Sequence, residues 1–226
     1  MDEVADIEAR LNAWKVSLCD EISVASLISK NPEVYKWKSM ARVWYLREAT
    51  FWRVEDLLRQ SLFLHQKEHA LGARILLRSA FETLATLAFM NQSMKNVILG
   101  KFDFHEFSNQ TSKLVAGSKL GGEGPVSINV VTVLNKVDKK YPGILGLYAG
   151  LSESSHPSFE GLLWGYSRVD HDLYETNFTN RWMELYGSRH LNLMRLCMEC
   201  FHHEYDDIWP SLVEKWKFGS QSTTKN

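Results

Sequence analysis

The sequence predicts an all-α protein, a bundle of long antiparallel helices with shorter helices and irregular segments between residues 100 and 178. Three observations predict it. Apolar residues recur every three or four positions over long stretches, and nowhere do they alternate strictly. Only five prolines and thirteen glycines punctuate the chain, and they concentrate between residues 117 and 165. One stretch, Ala70 to Met90, is apolar on almost every side, which is the pattern of a helix buried all round.

The elements follow in order. A first helix is expected over residues 3–29, because Val4, Ile7, Leu11, Trp14, Leu18 and Ile22 fall at helical spacing. Asn31 and Pro32 read as the cap and first turn of the second helix, with Glu33 placed to favour its dipole. That helix runs to about residue 66 and carries Trp37, Trp44, Tyr45, Phe51 and Trp52. The polar run Gln66–His69 is an end, a turn, or a continuation into the apolar helix. A shorter helix is expected over 102–115, then an exposed glycine-rich loop over 119–125. Ser127 is placed to cap a helix ending near Lys140, and Tyr141-Pro142-Gly143 breaks the chain there. Residues 144–152 are short and apolar and lead into His156-Pro157. Residues 161–177 show no period that assigns a helix or a strand. A last long helix covers 179–209, and 219–226 is a polar tail expected to be disordered after a single domain over 1–218.

Bulk properties narrow the classes. A net charge of −1 gives no global basic field to draw the chain onto nucleic acid, although a local basic patch stays open. The acidic opening Met-Asp-Glu-Val lacks the apolar run of a signal peptide. Arg74, Arg78 and Glu82 argue against a membrane span in the most apolar segment. Cys19, Cys197 and Cys200 form no disulfide framework, so a cytoplasmic protein is expected. No metal or cofactor is expected either. His65, Glu68 and His69 match a zinc-peptidase spacing only if the segment stays helical. Cys197 and Cys200 have no second cysteine pair, and Gly121-Gly122-Glu123-Gly124 lacks the strand and the lysine of a phosphate loop.

The candidate site comes from the apolar helix. Arg74, Arg78 and Glu82 are four residues apart and share one face. A charge taken out of water needs a partner, and orphaning one costs about 3–5 kcal/mol. Something must face this row, and His156 is the expected partner, able to exchange a proton near neutral pH. Arg78 and Glu82 have a plainer alternative as an intrahelical pair. On the last helix Trp182, Tyr186, Arg189, Leu193, Leu196, Cys197 and Cys200 form a stripe, so Arg189 is expected to point inward and join the site or pair with Glu82 or Glu204.

The runs Leu-Leu-Arg-Ser-Ala-Phe-Glu (76–82) and Tyr-Ala-Gly-Leu-Ser-Glu-Ser-Ser-His-Pro-Ser (148–158) resemble a large bacterial family of helical proteins of unknown function. In that family an apolar helix carries Arg-x-x-x-Glu and a later element reads Tyr, Leu-Ser and Ser-x-His. The resemblance spans about residues 35–165 and singles out Arg78, Glu82, Tyr148, Ser152 and His156. The family is in turn distantly similar to the HEPN proteins, which include metal-independent ribonucleases of toxin and phage-defence systems, commonly dimeric. Their Arg-x4–6-His spacing is met here by Arg59 and His65, with Gln60 after the arginine. The buried charged row and the resemblance together give the expectation of a ribonuclease with His156, Arg78 and Glu82 as catalytic residues, and with Arg74, Tyr148, Ser152 and Arg189 holding RNA or another anion. Beside it stand two alternatives: a non-catalytic interaction module, self-associating or binding a partner, and a sensor of an anionic ligand such as a nucleotide.

Overall fold

Helix α3 (Ala70–Ile98) is the axis of the molecule, because its sequence leaves only a narrow face, with Ile75, Ser79 and Glu82, to show water. Ala73, Leu77, Phe81, Leu84, Leu87 and Met94 line its inner face, and from Thr83 to Met94 every residue except Thr86 and Gln92 is buried. In this computed structural model, which describes residues 3–22, 34–117 and 126–222, most of the other helices pack against that one element. The all-α expectation is met: among the described residues there are eight α-helices and one two-stranded sheet. No described helix is long and apolar enough to cross a membrane.

Helix α1 (Glu3–Ser17) buries Ile7 and Leu11 and stops well short of residue 29. Leu18 turns into the core, and the carbonyl of Cys19 accepts from Trp52 Nε1 at 2.9 Å, which takes it out of a helical ladder. Asn31, Pro32 and Glu33, expected to open the second helix, lie outside the described residues. Helix α2 (Val34–Gln66) is the longest element and packs along α3. Gln66–His69 is a turn: Glu68 takes a left-handed φ of 61°, and His69 N–H donates to the Leu64 carbonyl at 2.8 Å.

Helix α4 (Phe104–Ala116) is capped by Asp103, whose carboxylate accepts from the N–H groups of His105 and Glu106 and is held below its usual range by them. The loop expected over 119–125 lies outside the described residues. Helix α5 (Val130–Asp138) is capped by Asn129, not Ser127. Gly143, at a φ of 100°, makes the left-handed turn into α6 (Ile144–Ser155). Asp138 fixes that turn by accepting from the N–H groups of Gly143 and Leu145.

The stretch that the periodicity leaves unassigned is a π-helical turn (Phe159–Trp164) followed by a hairpin, β1 (Ser167–Asp170) and β2 (Glu175–Phe178), antiparallel with Ser167 opposite Phe178. Helix α7 (Trp182–His202) does not run straight to 209. A second π-helical turn (His203–Ile208) separates it from α8 (Trp209–Ser222), whose backbone is helical past Gly219, where the disordered tail was expected to begin. The turn coincides with Glu204, whose carbonyl accepts from Asn91 Nδ2 at 3.0 Å. An aromatic knot of Trp14, Phe51, Phe201 and Tyr205 joins α1, α2 and α7.

Candidate functional site

The row Arg74, Arg78, Glu82 lies on the face of α3 that meets α6, and it divides into two nodes. Arg78 and Glu82 are an intrahelical pair at 3.1 Å, and Tyr148 of α6 closes it. The Tyr148 hydroxyl accepts from Arg78 Nη2 at 2.6 Å and donates to Glu82 Oε1 at 3.0 Å. Burial, and then the bond to Glu82, pushes the phenol up. Three residues singled out by the resemblance therefore meet in space. About a quarter of each charged side chain stays exposed, while Arg78 Nε is buried without an acceptor.

Arg74 makes the second node and is 5% exposed. Its Nε donates to Ser154 Oγ at 2.8 Å and its Nη2 to the Gly150 carbonyl at 2.9 Å. The guanidinium lies 3.9 Å from the centre of the Tyr186 ring, close enough for a cation–π contact. Ser154 Oγ donates onward to Glu160 Oε1 at 3.1 Å, and Glu160 also bonds the Tyr186 phenol, which burial and that bond push up to about 12. A half-exposed carboxylate of the π-helical turn is thus the counter-charge for a buried arginine.

His156 stands apart from both nodes. Its imidazole is exposed, and among the described residues its hydrogen-bond partner is Ser152 Oγ, at a long 3.4 Å. The backbone of His156 is the packed part: a Cβ on Gly161 would stand 1.9 Å from its carbonyl oxygen, so only glycine fits there. The expectation that the imidazole faces the arginine row is therefore not met. His156 is the C-cap residue of α6, past the last helical turn, and its side chain leaves the face that carries Tyr148 and Ser154.

Arg189 corrects a second expectation. It is exposed, and the buried residue is its neighbour His190. The inward stripe of α7 runs through Trp182, Gly187, His190, Met194, Cys197 and Phe201, about one residue round from the expected one, and Leu196 faces out at 40% exposure. His190 meets Ser61 and His65 from α2. Ser61 Oγ donates to the Ala73 carbonyl at 2.8 Å, so it must accept from His190 Nε2 at 2.9 Å, and this fixes the imidazole tautomer. The His65 and His190 rings stack at 5.0 Å. The Nδ1 atoms of both are buried without a partner. Burial first, then the nearby His65 and Arg74, pushes His190 down to about 3, so it is neutral at physiological pH.

The other motifs are taken up structurally. Arg59 binds Glu55 at 2.6 Å and the Leu11 carbonyl at 3.0 Å, tying α1 to α2, while His65 faces α7. The turn at Glu68 keeps His65 and His69 off a common helical face. Burial raises the thiols of both Cys197 and Cys200.

Comparison with protein-family models, with curated proteins and with solved structures found no match to this chain. Ser61, Ser154, Glu160 and His190 are the site residues that sequence reasoning missed, while it reached His65 and Tyr186 for other reasons. Reading the α7 stripe through Gly187 and Met194 finds His190. Nothing in the pattern finds Glu160, because its segment has no regular period.

Proposed function

We propose that this chain is a non-catalytic interaction module whose contact surface is the arm formed by residues 159–178. One observation carries the proposal. Eight of the eighteen exposed large apolar side chains among the described residues fall in that arm, including Phe159 at 68%, Leu173 at 65%, Tyr174 at 95% and Phe178 at 75%. Exposed apolar residues concentrated in one place mark interaction sites. The arm is also rigidly rooted. Arg181, 6% exposed, donates to the carbonyls of Ser167 and Trp164, and Trp182 fills the space beside Gly165. A hairpin alone is marginal in water, and its free edge can pair with a further strand.

The partner that suits this surface is a protein with an apolar groove, and a second copy of the chain is one such partner. A membrane suits it less well, because Asp170, Asp172 and Glu175 sit in the same arm. The unpaired cysteines suit a reducing, cytoplasmic setting. The ribonuclease alternative needs cations free to hold phosphate beside His156, and Arg74 and Arg78 are both engaged elsewhere.

The test is sedimentation and cross-linking of the wild type beside Leu173→Ser/Phe178→Ser. Self-association or partner capture that the double variant loses, with its fold intact, supports the module. A chain that cleaves RNA without metal, and loses that activity in His156→Ala, overturns it.

A further inference from the structure

We infer that the groove between α3, α4 and α5 binds a small organic phosphate that carries a flat apolar body. The groove encloses about 440 Å³, within the range of small-molecule sites. Its apolar lining is the half-buried Phe102 with Phe89 and Val137, which are 5% and 3% exposed, and its rim carries Lys136 from the last turn of α5 and Lys139 from its C-cap. Among the described residues no carboxylate lines it, in a chain with more acidic than basic residues.

The cations are not all equivalent. Lys140, next along the rim, is taken by Glu204 at 2.5 Å. Lys136 and Lys139 have no carboxylate within ion-pair distance among the described residues, and Lys136 Nζ instead lies 4.9 Å from the centre of the Phe89 ring. One cation in the last turn complements the helix dipole, but neighbouring like charges on a helix repel one another. An anion set between Lys136 and Lys139 relieves that repulsion. Asn96 adds a donor, since its Oδ1 accepts from Gln92 at 3.1 Å and its amide N–H groups remain available. An aromatic or similarly flat body then packs against the half-buried Phe102 ring. A bare inorganic ion leaves that ring wet, and an uncharged aromatic leaves the lysines unanswered. The two halves of the site together select a molecule with both features.

The test is calorimetric titration of the full chain with 1-naphthyl phosphate, with inorganic phosphate and 1-naphthol as half-ligands. The expected result is saturable one-to-one binding, each half-ligand binding at least about ten-fold more weakly. Lys136→Gln/Lys139→Gln is expected to weaken binding by about ten-fold or more, while Lys136→Arg/Lys139→Arg retains it. Affinity of the wild type is expected to fall as sodium chloride rises, which checks the charge contribution without any substitution. Absence of saturable binding by the wild type overturns the inference. So does binding that is indifferent to salt, or equal in a folded Lys136→Gln/Lys139→Gln variant.

Discussion

The two halves of α3 treat positive charge differently. In the N-terminal half, Arg74 and Arg78 are both answered inside the molecule, by Glu160 through Ser154 and by Glu82 with Tyr148. Beside the C-terminal half, Lys140 is answered by the fully buried Glu204, whereas Lys136 and Lys139 have no carboxylate partner among the described residues. A charge that the fold consumes is architecture, however suggestive its spacing. A charge left unanswered beside an apolar cavity is available for a ligand. The contrast places the proposed ligand chemistry in the lysine groove and not in the arginine row.

Glu204→Ala tests the consumed charges hardest. It leaves Lys140 and Tyr141 without their carboxylate and Asn91 with the backbone carbonyl alone, and a loss of about 3–5 kcal/mol is expected in urea unfolding. Glu204→Gln, which keeps an oxygen for the two neutral donors, should lose clearly less. Next comes Arg74→Ala, expected to cost about 2–4 kcal/mol through the lost bonds to Ser154 and Gly150 and the lost ring contact. Arg74→Lys should recover little, because an ammonium does not reproduce the planar fork.

The buried imidazoles give a pH test. His190 is held at about 3 in the folded chain, against an ordinary value of 6.5 that the unfolded chain regains. Between those values the unfolded state takes up a proton that the folded state refuses. Stability is therefore unaffected above about pH 6.5 and falls below it, by up to about 1.4 kcal/mol per pH unit from this group. His65, lowered by burial, adds in the same direction. A denaturation series from pH 7 to 5 checks this, and His190→Gln should flatten the slope; an unchanged slope would place the proton uptake elsewhere.

Smaller effects are expected where water reaches the charges. Arg78→Ala or Glu82→Ala should cost about 1 kcal/mol, well under the value for a fully buried pair, since a quarter of each side chain is exposed. The smallest change of all belongs to Lys136→Gln/Lys139→Gln, which should leave the thermal midpoint where it is while altering the affinity for 1-naphthyl phosphate. A midpoint that drops would mean that these lysines also belong to the architecture.

The apolar helix, the heavy aromatic load of α2 and the break at Gly143 were legible because each rests on local pattern. Arg78, Glu82 and Tyr148 were also legible as a group, since a helical pair and a recurring motif pointed to them. Three other features were not. The phase of α7 was misread by about one residue, because Trp182 and Cys197 fit either stripe and only packing separates Arg189 from His190. The arm was unreadable because its π-helical turn has neither a helical nor a strand period, and its apolar residues face out. The lysine groove escaped notice because three lysines near a helix end look like an ordinary solvated terminus until Phe89 of α3 and Phe102 of the bend after it are brought beside them.

The left-handed residue Glu68 has a consequence for how the chain reaches this state. It folds α2 back onto α3 within three residues, so the two longest helices find each other with almost no loop to close. Contacts beside the turn are near in sequence, and Ser61 bridges the pair at Ala73. Chains dominated by such short-range contacts fold quickly. The expected order is a helical hairpin first, with α7 and the arm added late. Amide exchange should then be slowest along α2 and α3 and fastest in the hairpin of the arm, a gradient readable by mass spectrometry on the intact protein.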